Sequence, residues 1–180
     1  MQAFQFLNLT SEVRVLMSEE IKSDIDSKAY YVSPRLNSQG LQTYPNLLIQ
    51  SALHHDAEWL TQQLSQGLLN TQEARFGKNG TTTWAKVPYT AAETLADGEF
   101  NRYYVRAICL AALKINPDAE VEVYRAKQVS NARSESQNKI GTKVKAAQLL
   151  EDLRKSSRNL DSFLGIPAGP NSGLSVKLIA

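Results

Sequence analysis

Hydrophobic residues recur at helical spacing over the longest patterned stretch of the chain, residues 90–115. The apolar side chains form two neighbouring rows, one of Phe100, Tyr104, Ile108 and Ala111 and one of Val105, Cys109 and Ala112. The combined face is too wide for a surface helix, so the pattern predicts a central helix packed on two sides. Thr90, followed three residues later by Glu93, predicts a capping box at the start of this helix. Gly98 disfavours helix and suggests a break there, with the main helix beginning near Glu99.

The same helical period appears in three further regions. Residues 10–26 and 146–156 each place their apolar side chains on one face of a helix. Residues 45–67 predict two helices. Pro45 suits the first position of one of them, and Asp56 predicts the N-terminus of the next.

Alternation of apolar and polar residues predicts strands on both sides of the central helix. Residues 81–87 are rich in β-formers and follow the turn signal GKNG at 77–80. Residues 119–127 alternate valine with glutamate and tyrosine. Residues 68–78 and 128–144 are polar, contain turn formers and predict loops. The order strand, helix, strand favours a βαβ-like or α+β arrangement.

We therefore predict an α+β fold, a helix-rich single domain with a small β-sheet and extended terminal arms. A length of 180 residues suits one domain. The globular part is expected at 1–165, with an N-terminal arm at 1–9, and proline and glycine keep residues 166–180 as an extended C-terminal tail. The end of this tail predicts a strand that pairs with a sheet edge in this chain or in a neighbour, through the alternating residues Leu174, Val176 and Leu178.

Composition and charge narrow the class of protein. The chain is 42% apolar and 21% charged, which is typical of a globular protein. Residues 1–100 carry 7 Lys/Arg against 11 Asp/Glu, whereas residues 101–180 carry 13 against 7. The first part is therefore acidic and the second basic. Opposite charges of this kind allow head-to-tail attraction between identical copies, or contact of the second part with nucleic acid.

The sequence predicts neither a membrane protein nor a disulfide framework. No apolar run approaches the ~18 residues of a membrane span, and the N-terminal segment lacks a signal-peptide pattern. The single Cys109 excludes an intrachain disulfide and suggests a reducing compartment or independence from redox conditions. We expect a protein that is made in the cytoplasm of its host.

Two arginines on the central helix, Arg102 and Arg106, are four residues apart and therefore lie on one face. Such a pair can bind a phosphate or the carboxylate of a partner, because guanidinium groups fit planar anions. The alternative is a polar edge that pairs with Glu99 and other local acids. We predict Arg102 and Arg106 as interface residues, together with Leu174, Val176 and Leu178.

Other candidate chemistry is weaker, and the sequence calls for no metal and no cofactor. His54 and His55 precede Asp56, but adjacent histidines point in different directions on a helix, so a surface or capping role is favoured over a metal site. Cys109 lies among apolar residues in mid-helix, where a thiol is inert. The segment GKNGTTT lacks the spacing of a phosphate-binding loop.

A nuclease site is the enzymatic alternative. Asp118, Glu120 and Glu122 near Lys127 are similar to the acids and lysine that bind Mg²⁺ in restriction-type nucleases. That pattern places the lysine two residues after its carboxylate on one face of a strand. Lys127 is five residues after Glu122, on the opposite face, so the match fails at its most specific point.

Three stretches of the sequence carry a resemblance to a known family: YYVSPRL at 30–36, ETLADGEFNRYYVRAICLAAL at 93–113, and EVYRAKQV at 122–129 together with the closing GIPAGPNSGLSVKL. They resemble an uncharacterised protein family associated with the structural regions of tailed bacteriophages and prophages. The resemblance implies a virion structural protein without catalytic residues. It leaves open a head–tail adaptor at the neck and a capsid-associated component such as a decoration or minor capsid protein.

We expect a non-enzymatic connector or adaptor subunit that assembles into a ring in the virion. The expected partners are further copies of the chain in a ring or shell, and other virion proteins such as a portal, tail terminator or capsid protein, with DNA nearby. Deletion of residues 166–180 is expected to abolish assembly. From another class, the alternative is a nucleic-acid-binding protein or a metal-dependent nuclease.

Overall fold

The central helix of the sequence pattern is also the centre of the fold. The computed structural model describes residues 3–77, 79–130, 134–156, 164–167, 169 and 172–179. Within these residues lie six helices: α1 (Ser11–Asp26), α2 (Ser38–His54), α3 (Ala57–Ser65), α4 (Ala91–Ile115), α5 (Ser134–Lys139) and α6 (Ala146–Lys155). The described strands are β1 (Gln72–Phe76), β2 (Thr82–Lys86), β3 (Glu120–Arg125), β4 (Lys143–Lys145) and β5 (Leu174–Leu178).

Helix α4 is packed on all sides over its middle turns. Every residue from Glu99 to Cys109 is buried, polar and apolar alike. The elements packed around α4 are α1, α2, α3, α6 and the strands β3 and β5. The prediction of a helix at the centre of the core is therefore confirmed, and the α+β class is confirmed with it.

The predicted start of α4 is wrong in two details. Thr90 makes no capping hydrogen bond with its side chain, and Glu93 accepts a hydrogen bond from Lys127 Nζ at 2.8 Å instead. The helix also continues through Gly98 without a break. Packing from several neighbours outweighs the ~1 kcal/mol by which glycine disfavours a helix.

The helices of the first part follow the predicted pattern with one shifted boundary. The N-terminus predicted at Asp56 is confirmed, because its carboxylate accepts a hydrogen bond from Trp59 N at 2.8 Å. Helix α2 begins at Ser38, so Pro45 lies inside it and not at its first position. The earlier start follows from Asn37, whose side chain accepts a hydrogen bond from Gly40 N at 2.8 Å and caps the helix.

Two antiparallel sheets complete the fold. Strands β1 and β2 form a hairpin around the predicted turn at 77–80, although residues 72–76 were predicted as loop. The second sheet has the order β4-β3-β5. The two strands predicted on either side of α4 therefore exist, but they belong to different sheets. The loop predicted at 128–144 is also partly wrong, since it contains α5 and the start of β4, while residues 131–133 lie outside the described part.

Both terminal arms pack on the domain. Gln5 N donates a hydrogen bond to Ala126 O at 2.8 Å, and Phe6 packs against Tyr104 with ring centroids 4.6 Å apart. At the other end, β5 pairs with β3 and contributes buried side chains to the core. A boundary at residue 165 therefore does not separate an independent tail, because residues 174–178 are an integral strand of the sheet.

Candidate functional site

The two arginines predicted as contact residues lie in the interior. Arg102 is 4% exposed and Arg106 is 1% exposed. The guanidinium of Arg106 pairs with Asp24 and Glu20 of α1. Arg102 pairs with Glu99 at 3.9 Å, one turn earlier in α4. The structure therefore agrees with the alternative reading, pairing with acids of this chain, and not with an exposed contact surface at Arg102 and Arg106.

The buried ion cluster around Arg106 joins three helices. Glu20 of α1 accepts hydrogen bonds from Arg106 Nε at 2.7 Å and from Arg154 of α6 at 2.5 Å. Asp24 also accepts a hydrogen bond from the Tyr103 hydroxyl at 3.1 Å. Burial alone would raise the pKa of Glu20, but the hydrogen bonds and charges of Arg154 and Arg106 outweigh burial and lower it. The cluster is a structural element that fixes α1, α4 and α6 together.

Among the described residues, Glu99 is a buried charged group whose carboxylate lacks hydrogen bonds. Its side chain is 1% exposed, and neither carboxylate oxygen accepts a hydrogen bond. Burial, partly opposed by Arg102, raises the pKa of Glu99 to about 7. The hydroxyl of Tyr44 is likewise buried without a hydrogen bond, and burial with the nearby charge of Glu99 raises its pKa. Both residues are almost completely buried.

The C-terminal strand residues predicted as interface are used inside this chain. Leu174 and Val176 are fully buried, and Leu178 packs on the same core. The register of β5 on β3 pairs Val176 with Val123 and Leu178 with Val121. The strand therefore pairs within this chain, one of the two possibilities that the sequence left open, and these side chains are not presented to a neighbour.

An exposed aromatic surface lies on the β1–β2 hairpin instead. Residues paired across an antiparallel ladder share one face, and the register Ala74↔Trp84 and Phe76↔Thr82 places Phe76 and Trp84 diagonally on the same face. Phe76 is 82% exposed and Trp84 is 69% exposed. We call this surface, formed by Ala74, Phe76 and Trp84, the hairpin face.

The hairpin is tied to the domain near its base, by Glu73 on the face opposite to the aromatic residues. Glu73 is half-buried, and Arg35 Nε donates a hydrogen bond to its carboxylate at 2.6 Å. At the base of the hairpin, Asn70 N donates to Arg35 O at 2.8 Å. Val87 N donates to Thr71 O at 3.0 Å, which extends the β1–β2 ladder by one residue pair. The hairpin is thus tied to the domain near its base, through Glu73, while Phe76 and Trp84 on the other face stay exposed.

A pocket of about 280 Å³ lies between the N-terminal arm and the starts of α3 and α4. Its lining combines aromatic rings with carboxylates: Ala3, Phe4, Phe6, Asp56, Ala57, Glu58, Thr61, Glu93, Asp97 and Lys127. Phe4 and Phe6 stack with ring centroids 5.3 Å apart. Because four carboxylates face one ammonium group, the lining carries a net negative charge. We call this cavity the acidic pocket.

Lys127 organises the inner end of the acidic pocket. Its ammonium group donates hydrogen bonds to Asp97 at 2.5 Å and to Glu93 at 2.8 Å, and it lies 5.7 Å from the centre of the Phe4 ring. Burial lowers the pKa of Lys127, but the two carboxylates outweigh burial and raise it. Lys127 is therefore a stable cation, while Asp56 and Glu58 at the rim of the pocket remain exposed.

The residues of the nuclease hypothesis have separate partners. Lys127 pairs with acids of α4, whereas Glu122 pairs with Lys177 at 3.0 Å. Among the described residues, histidine, cysteine and carboxylate side chains form no group of three that could hold a metal ion. His55 stacks on Trp59 with centroids 4.1 Å apart. Cys109 is buried, and burial raises the pKa of its thiol to about 12, so the thiol is unreactive at neutral pH.

Within the part of the chain that the structure describes, no helix is long and apolar enough to cross a membrane. Comparisons with protein-family models, with curated proteins and with solved structures find no match to this chain.

The sequence contained a signal for the hairpin but not for its exposure. The turn GKNG and the β-formers after it predicted the second strand, whereas Gln72–Phe76 lacks a clear alternation of apolar and polar residues. Exposure depends on whether a distant segment covers a side chain of the hairpin: Arg35 contacts Glu73 on one face, whereas Phe76 and Trp84 on the other face stay exposed. The acidic pocket brings together four separate segments of the chain, which no local pattern predicts.

Proposed function

We propose that this chain is a non-enzymatic structural subunit of a tailed bacteriophage particle, a head–tail connector or adaptor that assembles into a ring. The observation that carries the proposal is the hairpin face. Phe76 and Trp84 stay exposed on a hairpin that is fixed to a domain with a complete core of its own. A surface of this kind suits contact with another protein molecule, because aromatic residues are enriched at protein–protein interfaces.

The burial of the contact residues predicted from the sequence supports the choice of the hairpin face as the contact surface. Arg106, Leu174 and Val176 are buried within the domain, so the contacts of an assembled ring would lie elsewhere. Tryptophan is among the residues that contribute most to binding energy when an interface covers them. The phage assignment itself rests on the resemblance of the three sequence stretches described above.

The test is detection of the chain in purified phage or prophage particles. We expect mass spectrometry to find it there in a fixed ratio to the portal protein, in a small number of copies. Cells that lack the chain should accumulate heads and tails that do not join, visible by electron microscopy. Absence from purified particles would contradict the proposal, and a copy number close to that of the capsid protein would favour a capsid-associated role.

A nuclease assay separates the structural role from the enzymatic alternative. Purified protein incubated with plasmid DNA and Mg²⁺ should leave the plasmid intact. Cleavage that disappears in an Asp118→Ala or Glu122→Ala variant would contradict a purely structural role.

A further inference from the structure

We propose that the hairpin face of one copy docks into the acidic pocket of the next copy, so that identical chains join head to tail. The inference rests on the proposed function, a subunit that assembles into a ring, and it names the two surfaces that meet. It commits to a second copy of this chain as the occupant of the pocket.

The two surfaces match in apolar character. The hairpin presents Phe76 and Trp84 on one face. The acidic pocket offers the stacked rings of Phe4 and Phe6 at its wall. An aromatic side chain that enters this cavity of about 280 Å³ can pack against those rings, and tilted or offset contacts between aromatic rings stabilise beyond the area they bury.

The two surfaces also have opposite charge. Lys86 is exposed and lies two residues after Trp84, on the same face of β2. Arg75 of β1 lies on the opposite face, where it pairs with Glu73. The pocket carries Asp56, Glu58, Glu93 and Asp97 against Lys127 alone. A lysine on the hairpin face and an acidic cavity favour this docking over contact between two hairpin faces, because like charges at an interface repel each other.

The geometry makes the contact heterologous. None of the described hairpin residues lines the pocket of its own chain, so each copy has one free hairpin and one free pocket. An interface between two different surfaces leaves one of each unused at the ends of a chain of subunits. Such an assembly closes into a ring or continues as a filament, whereas a two-fold interface would stop at a dimer.

Two variants test the docking, each of which removes one of the surfaces. Trp84→Glu places a negative charge on the hairpin face and leaves the pocket intact. Thr61→Arg places a guanidinium among the pocket carboxylates and leaves the hairpin intact. Each variant alone should associate with itself at least about tenfold more weakly than the wild type, measured by analytical ultracentrifugation. Ile115→Ser, which changes an 83% exposed residue outside both surfaces, should associate like the wild type.

The decisive measurement is a mixture of the two variants. Trp84→Glu supplies a working pocket and Thr61→Arg a working hairpin, so the mixture should form a one-to-one dimer that grows no further. A mixture that stays monomeric would overturn the proposal, as would a Thr61→Arg variant that assembles like the wild type. If Thr61→Arg proves to be unfolded by circular dichroism, Glu58→Arg at the exposed rim of the pocket gives the same test.

A disulfide between copies locates the contact directly. Cys109 is the only cysteine and is buried, so two introduced cysteines would be the reactive ones. Thr82→Cys on the hairpin and Glu58→Cys at the pocket rim, combined in one chain, should form a ladder of cross-linked oligomers under mild oxidation, and neither single variant should do so. Failure of these tests overturns the docking alone. The proposed function fails separately, if the chain is absent from particles.

Discussion

Arg106 of α4 binds Asp24 of α1 through both ends of its guanidinium group, with N–O distances of 2.6 and 3.0 Å. Both residues are buried. Nε of Arg106 donates to Glu20, which Arg154 of α6 also contacts. A planar guanidinium suits such a forked contact, and Lys could not reproduce it.

Replacement of Arg106 by methionine should lower the free energy of unfolding by about 3–5 kcal/mol, because it leaves two buried carboxylates without their shared cation. Urea denaturation measures the change. The control is Lys114→Ala, which removes the exposed pair between Lys114 and Glu12 and should change stability by less than about 0.5 kcal/mol. Equal losses of unfolding free energy in the two variants would show that the buried cluster contributes no more to stability than an exposed ion pair.

Glu99 should make the protein less stable as pH rises towards neutrality. Its pKa is about 7 in the folded state against 4.5 as the ordinary value, so between these values the folded state holds a proton that the unfolded state releases. Each step up in pH within this window therefore favours unfolding. The Glu99→Gln variant cannot ionise and lacks this effect.

The stability difference between Glu99→Gln and the wild type should consequently shift in favour of the variant by roughly 3 kcal/mol between pH 4.5 and 7. Chemical denaturation at several pH values measures it, and the contributions of other groups cancel in the difference. A difference that stays constant across this window would contradict a raised pKa for Glu99.

Leu174→Ala should destabilise the monomer by about 2–5 kcal/mol, because the leucine side chain is fully buried and its truncation leaves a cavity in the core. Ile115→Ala, at an exposed apolar residue, should cost less than about 0.5 kcal/mol. Deletion of residues 166–180 would therefore unfold the domain as well as prevent assembly, so it no longer tests assembly alone. If Leu174→Ala left stability unchanged while assembly was lost, β5 would belong to an intersubunit contact.

Gly173→Ala should be clearly more destabilising than Gly67→Ala, although both glycines have positive φ angles, 65° and 80°. The strained backbone costs roughly 1–2 kcal/mol at either position. At Gly173 a Cβ would also lie 2.0 Å from Lys127 O, whereas at Gly67 it would meet nothing within 4 Å. The thermal unfolding midpoints of the two variants give the comparison, and equal shifts would mean that the chain at Gly173 moves aside freely.

Local patterns were sufficient for most of the elements. The capping side chain of Asp56, the helical period of residues 91–115 and the alternation of Val121 and Val123 act within a few residues, and each was predicted correctly. The start of α2 was predicted at Pro45, but the helix begins earlier, after the capping residue Asn37. The backbone N–H of Asn37 also donates a hydrogen bond to Leu68 O, a contact with a distant segment of the chain. Strand β1 was missed because its exposed residues show no alternation.

By itself, the sequence determined the α+β class, the central helix and the positions of most helices and strands, because hydrophobic periodicity and caps depend on near neighbours along the chain. The tertiary structure alone decided that Arg102 and Arg106 are interior residues and that Phe76 and Trp84 are surface residues. Burial depends on contacts between distant segments, such as Arg106 with Asp24 and Arg35 with Glu73. An arginine is buried when acids from another helix reach it, and a tryptophan remains exposed when no distant segment of the chain packs against its side of the hairpin.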